Sequence, residues 1–287
     1  MAFAPKLAVA LLIIAPSLTF AQEHTFTPLP APAERPYPFE ILSLQPGDSL
    51  DDVMAVFAER SDTEPSDETE VISVQSPDGR SLEFTYDRNR QIGGLSLNER
   101  MAEVNFPENV VAALSSDVME QRPVSITRSM RLPTGDLPTA QALQAQMEAE
   151  YGSPSRVETN NGYVSLTYAW SDEGFIADLD AQTPREITYA GRGGREITES
   201  YLPCQRTSGN AYDTTTEYTF DYPRTRELFP GCVAMFRVSH TTKPGTVSIS
   251  FTLDDFDLAR QHRSELDRQI VEALTGEGDV EPSRLDL

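Results

Sequence analysis

The side chains best suited to nucleophilic, basic or soft metal-ligand chemistry are few in this chain of 287 residues: two cysteines, Cys204 and Cys232, and three histidines, His24, His240 and His262. In an exported chain two thiols pair by default into a disulfide. Closing a loop of this size stabilises a fold by about 3–4 kcal/mol in the chain-entropy picture. The other chemistry open to Cys232 is nucleophilic, and that needs an activating base beside the thiol. A zinc centre would draw on His240 and His262 plus carboxylates, and no local spacing supports one. The chain has no G-x-S-x-G elbow, no H-E-x-x-H helix and no serine three residues before a lysine. A pair of carboxylates acting as a hydrolase is the enzymatic alternative, since acids distant in sequence meet only in the fold. The expectation is therefore no catalytic, cofactor-binding or metal-ligating residue, with Cys204 and Cys232 as a disulfide.

The dipeptide Gly231-Cys232 resembles the glycine-cysteine pair of periplasmic cysteine transpeptidases. Phe229 and Pro230 stand where that family has histidine and serine. His262 lies on an apolar stripe, where a packed ring with a satisfied nitrogen is expected rather than a base or ligand.

Export is read from the first residues. Lys6 supplies a positive start, residues 7–14 are continuously apolar, and Thr19-Phe20-Ala21 places small residues at the positions a signal peptidase reads. The run is too short to span a bilayer, which takes about 20 apolar residues. No cysteine follows the cut expected near Ala21, so no lipid anchor is expected, and no later segment is apolar enough to span. These features predict a periplasmic protein. The formal net charge of −22 repels nucleic acid and anionic membrane surfaces.

The elements that would position any site can be taken in chain order. Residues 22–38 carry five prolines and read as a tether or an arm lying on the surface. At Gln45-Pro46-Gly47-Asp48-Ser49 a turn precedes an N-cap. Asp51 and Asp52 complement the helix dipole, and Leu50, Val53, Met54 and Phe57 form one face. Residues 59–70 are acid-rich and read as a solvated loop; a calcium loop would need a glycine where Pro65 stands. Residues 71–86 form a hairpin about Pro77-Asp78-Gly79, and 91–97 a further strand. Residues 107–119 read as a helix buried through Val110, Val111, Leu114 and Val118, followed by a strand over 124–132.

A second helix is capped by Thr139, uses Ala140, Leu143 and Met147, and ends at Gly152-Ser-Pro154. Asn160-Asn161-Gly162 turns into alternating Val164, Leu166, Tyr168 and Trp170. Core packing is the expected use of Tyr163, Tyr168 and Trp170; the alternative is that they form an exposed aromatic patch. Gly191-Arg-Gly-Gly194-Arg195 reads as a turn and not a phosphate loop, since no helix follows it. Strands are expected over 217–222, 232–238 and 246–253, with Lys243-Pro244-Gly245 turning between the last two. A helix from Asp254 to about Leu274 buries Leu258, His262, Leu266, Ile270 and Leu274. The acidic tail over 276–287 is expected to lack order.

The helix-then-hairpin order occurs twice, so the fold class is α+β, with two related halves of helix plus antiparallel sheet over 39–123 and 124–275, the second ending in the C-terminal helix. The run Leu44-Gln-Pro-Gly-Asp-Ser-Leu-Asp-Asp-Val53, with Glu150-Tyr-Gly-Ser-Pro154 closing the second helix, resembles the repeat unit of two exported groups. These are the small lipoprotein component of the outer-membrane barrel-assembly machine and the β-lactamase inhibitor protein. The resemblance implies a helix pair packed on an antiparallel sheet that acts by surface contact. The function expected is a non-catalytic binding or envelope-assembly module with another envelope protein as partner; the alternative is a periplasmic hydrolase of cell-wall or sugar material using acidic residues.

Overall fold

The computed structural model describes residues 25–61, 64–76, 79–92, 108–190, 195–204 and 231–275. The signal peptide, His24, the strand expected over 217–222, the glycine-rich turn at 191–194 and the tail over 276–287 lie outside these residues.

In chain order the described elements begin with α1 (Leu50–Arg60), β1 (Ser66–Gln75), β2 (Ser81–Ile92), β3 (Glu108–Leu114), a 3-10 turn over Asp117–Met119, β4 (Pro123–Pro133) and α2 (Ala140–Tyr151). They continue with β5 (Arg156–Asn160), β6 (Tyr163–Ser171), β7 (Gly174–Ile176), β8 (Arg185–Ala190), β9 (Glu196–Tyr201), β10 (Cys232–Lys243), β11 (Thr246–Asp255) and α3 (Phe256–Thr275). The class is α+β: helices packed on a nine-stranded antiparallel sheet of order β1-β2-β3-β4-β11-β10-β6-β5, with β7 on β6 and β8–β9 as a separate hairpin. The order mirrors itself about the β4–β11 pair. Each side is a four-strand run preceded in the chain by one helix, α1 before β1 and α2 before β5. The boundary expected at 123/124 falls at the start of β4, inside this continuous sheet.

Local chemistry accounts for the helices. Ser49 and Asp52 close a reciprocal capping box, the Ser49 hydroxyl accepting from the Asp52 amide and the Asp52 carboxylate from the Ser49 amide. Thr139 accepts from the Ala142 amide at 3.2 Å. Val53 and Phe57 from α1 and Leu143 and Met147 from α2 enter one core cluster with Phe39, Tyr168 and Phe236. Phe39 is the hub. Its ring lies 5.4 Å from both Tyr151 and Phe236 and 5.8 Å from Tyr168. Gly162 takes φ +75 in the Asn161-Gly162 turn, and a Cβ there would meet the Thr242 carbonyl oxygen at 2.9 Å, so this turn requires glycine.

Two expectations are corrected. Residues 108–114 are strand, not helix: Val110, Ala112 and Leu114 are buried with the period of two, because β2 and β4 flank the segment and take its backbone hydrogen bonds. Only Asp117–Met119 winds, as a single 3-10 turn. The acid-rich loop also ends earlier than expected. Asp67, Glu68 and Glu70 belong to edge strand β1, where Arg90, Asn89 and Arg88 of β2 answer them.

β2 meets β3 only through Asn89–Ile92, so its first half projects beyond the sheet body. Helix α3 covers that projection, packing Leu266, Ile270 and Leu274 with Ile72, Val74, Leu82 and Tyr86. The proline-rich arm lies against the same cluster. Phe26 meets Phe84 edge-on at 4.7 Å, and the Leu29 amide donates to the Val118 carbonyl. Thr27 exchanges two bonds with the Gln269 amide, at 2.8 and 2.7 Å.

Candidate functional site: the hydroxyl-lined face of the sheet

Successive side chains of a strand point to opposite faces. On β4, β11, β10 and β6 the apolar set (Ile126, Ile249, Leu253, Phe236, Val238, Leu166 and Tyr168) faces α1 and α2. The alternate set forms rows of different character. One row runs Thr127, Thr252, Arg237, Thr167 and Arg156 across five strands; the next runs Ser129, Ser250, Ser239, Ser165 and Glu158. Cross-strand hydroxyls meet at 2.9 Å for Ser129 and Ser250 and at 3.5 Å for Thr127 and Thr252. Most of these positions on the central strands are half-buried.

Arg237 is held in this face by a buried carboxylate. Its guanidinium donates to Asp254 at 2.7 Å, and the Ser125 hydroxyl donates to the other Asp254 oxygen, also at 2.7 Å. Burial pushes the Asp254 carboxyl above its ordinary range, and Arg237 and Ser125 pull against that. The next residue points the other way. Asp255 accepts from Arg35 at 2.7 Å, from the Tyr37 hydroxyl at 2.6 Å and from the Leu258 amide at 2.8 Å, capping α3 and fastening the arm. Burial raises its carboxyl too, against the attraction of Arg35. The two acids most suited to a hydrolytic pair therefore sit on opposite faces of β11, each tied to its own arginine. The sequence reading assigned neither; the only signal was two adjacent acids where the strand's apolar alternation stops.

The residues singled out from sequence are placed as follows. Cys204 and Cys232 form a disulfide with Cα atoms 4.8 Å apart, beside Ala169, Met235 and Phe256. The Cys232 sulfur is therefore not a thiol, and the nucleophilic alternative is set aside. His262 is fully buried and its Nε2 accepts from the Ser116 amide at 2.9 Å, with the Ser116 hydroxyl at 2.8 Å. Desolvation and the Arg263 charge push the ring down to about 3, too low for a base near neutrality. His240 lies on β10 and meets the Pro138 carbonyl through Nε2 at 3.1 Å. Among the described residues no three His, Cys, Asp or Glu side chains are grouped to hold a metal. Tyr168 and Trp170 pack around Phe39, whereas Tyr163, expected in the core, is exposed on the opposite face of β6 because strand side chains alternate, so these three share no patch.

No protein-family model, curated protein or solved structure matches the chain. Among the described residues no helix is long and apolar enough to cross a membrane.

Proposed function

We propose that this protein is an exported, non-catalytic binding module that docks another protein of the cell envelope on the hydroxyl-lined face of its sheet. The observation that carries this reading is a depletion of charge. In a chain of formal charge −22, the central rows of this face present serine and threonine around Arg237, whose partner acid is buried. Depletion of acidic side chains and lysine with arginine retained is the compositional mark of an interface centre, and hydroxyl and guanidinium donors suit a partner that brings its own acceptors. Three further features support it: the signal-peptide pattern, a disulfide suited to an oxidising compartment, and the mirrored strand order. The last is what two copies of a helix-plus-four-strand unit would produce, and it agrees with the resemblance to tandem envelope modules. The periplasm is the compartment proposed.

The test immobilises the disulfide-intact protein, exposes it to envelope extract, and repeats this with Ser239→Glu/Ser250→Glu. The expected result is one stoichiometric protein retained by the wild type and lost by the variant, since like charge placed in an interface costs several kcal/mol. Equal retention by both proteins overturns the assignment of the face. Absence of any partner, together with turnover of glycan or peptide by the purified protein, replaces the module with the hydrolase.

A further inference from the structure

A cavity of about 340 Å³ opens on the helix-covered side of the sheet, away from the hydroxyl face. Its floor is the half-buried Phe251 ring, stacked 6.4 Å from the fully buried Phe236 beneath it, and the Tyr151 ring stands edge-on to Phe236 at 5.5 Å. Glu40 from the segment before α1 and Glu150 from the last turn of α2 are exposed at its rim, and Arg128 of β4 lines it from below. Among the described residues Glu40 and Glu150 have no ion-pair partner. Arg128 is only partly neutralised: its Nε donates to Glu108 at 2.6 Å, and the same carboxylate also takes Arg60 at 2.8 Å. Two guanidiniums on one carboxylate leave one positive charge, and a guanidinium has further N–H donors beyond the one used. The lining thus offers two anions and one residual cation around an aromatic floor.

We propose that this cavity binds a small zwitterion, an α-amino acid or short peptide with an apolar side chain. The ligand's ammonium group lies between Glu40 and Glu150, its carboxylate meets the free edge of Arg128, and its apolar side chain lies on Phe251. Aromatic faces add attraction for the ammonium group. The volume sits at the low end for ligand pockets, which suits a free amino acid or dipeptide. A lone cation would leave Arg128 opposed to it, and a lone anion would face both glutamates.

Calorimetric titration with four probes tests this: phenylalanine, a leucyl-leucine dipeptide, phenethylamine and 3-phenylpropionate. One zwitterion, or both, should bind at least about tenfold more tightly than either singly charged probe, as loss of one charge-assisted contact implies. The relative affinity of phenylalanine and the dipeptide separates a free amino acid from a peptide as the natural source. Glu150→Gln, on an exposed helix end, should weaken the zwitterion about tenfold and leave the melting temperature unchanged. Arg128→Gln should do the same to the carboxylate contact, so 3-phenylpropionate and the zwitterion lose affinity while phenethylamine does not. No heat from either zwitterion at about 10 mM, well above the affinity expected of so small a ligand, overturns the proposal. Equal binding of all four probes, or zwitterion binding unchanged in Glu150→Gln, overturns it as well. Binding to the sheet-face variant should match wild type, so this result and the envelope-partner experiment fail independently.

Discussion

His262 shows how one residue converts burial into a pH dependence. Its folded-state value lies near 3, against about 6.5 for a free ring, because desolvation disfavours the imidazolium and Arg263 adds repulsion. The unfolded chain therefore takes up a proton below about pH 6.5 that the folded chain refuses until far lower. The contribution is complete above that pH and is lost as pH falls towards 3. Between about pH 7 and pH 5 the wild type should lose about 2 kcal/mol through this residue, and His262→Gln should not. Urea midpoints of both proteins at the two pH values measure the difference; parallel losses would mean the ring is not held neutral. Sequence placed His262 on the buried stripe, since every fourth residue of α3 is apolar around it. That Ser116, 146 residues upstream, would be its partner was not visible locally.

At the scale of elements, the arm over 25–38 is fastened by side chains that imitate backbone pairing. Gln269 offers both an acceptor and a donor to Thr27, as a neighbouring strand would. Gln269→Ala should raise hydrogen exchange at the Thr27 and Leu29 amides while leaving β10 and β11 protected, at a cost of about 1–2 kcal/mol. Unchanged exchange there would show that Phe26, the Leu29–Val118 bond and the Asp255 contacts hold the arm without Gln269. The same scale explains why 108–114 is a strand where its apolar spacing predicts a helix. Val-Val-Ala-Ala-Leu satisfies a period of 3.6 as well as a period of two, and only the flanking strands decide between them. Helices α1, α2 and α3 were legible because their caps and apolar spacing are local.

For the whole molecule, the disulfide joins the start of β10 to the segment after β9 and closes a loop spanning 28 positions. Cys204→Ser/Cys232→Ser should unfold at lower denaturant concentration, with a loss of about 3–4 kcal/mol. Reductant should reproduce that loss in the wild type and have no effect on the variant. A midpoint insensitive to reductant would assign the stability of this region to Ala169, Leu179 and Phe256 instead.

Composition, capping residues and turn glycines by themselves determined the α+β class, the three helices, the β1–β2, β5–β6 and β10–β11 hairpins and the pairing of the two cysteines. Each of these rests on contacts within a few residues, or on there being only one possible pairing. The tertiary structure alone decided that β1–β7, β10 and β11 share one nine-stranded sheet, that Asp254 and Asp255 serve opposite faces, and that serine and threonine rows align across strands far apart in the chain. Register and facing are set by which strands become neighbours, and a one-residue slip exchanges every side chain between faces. No local pattern carries that information.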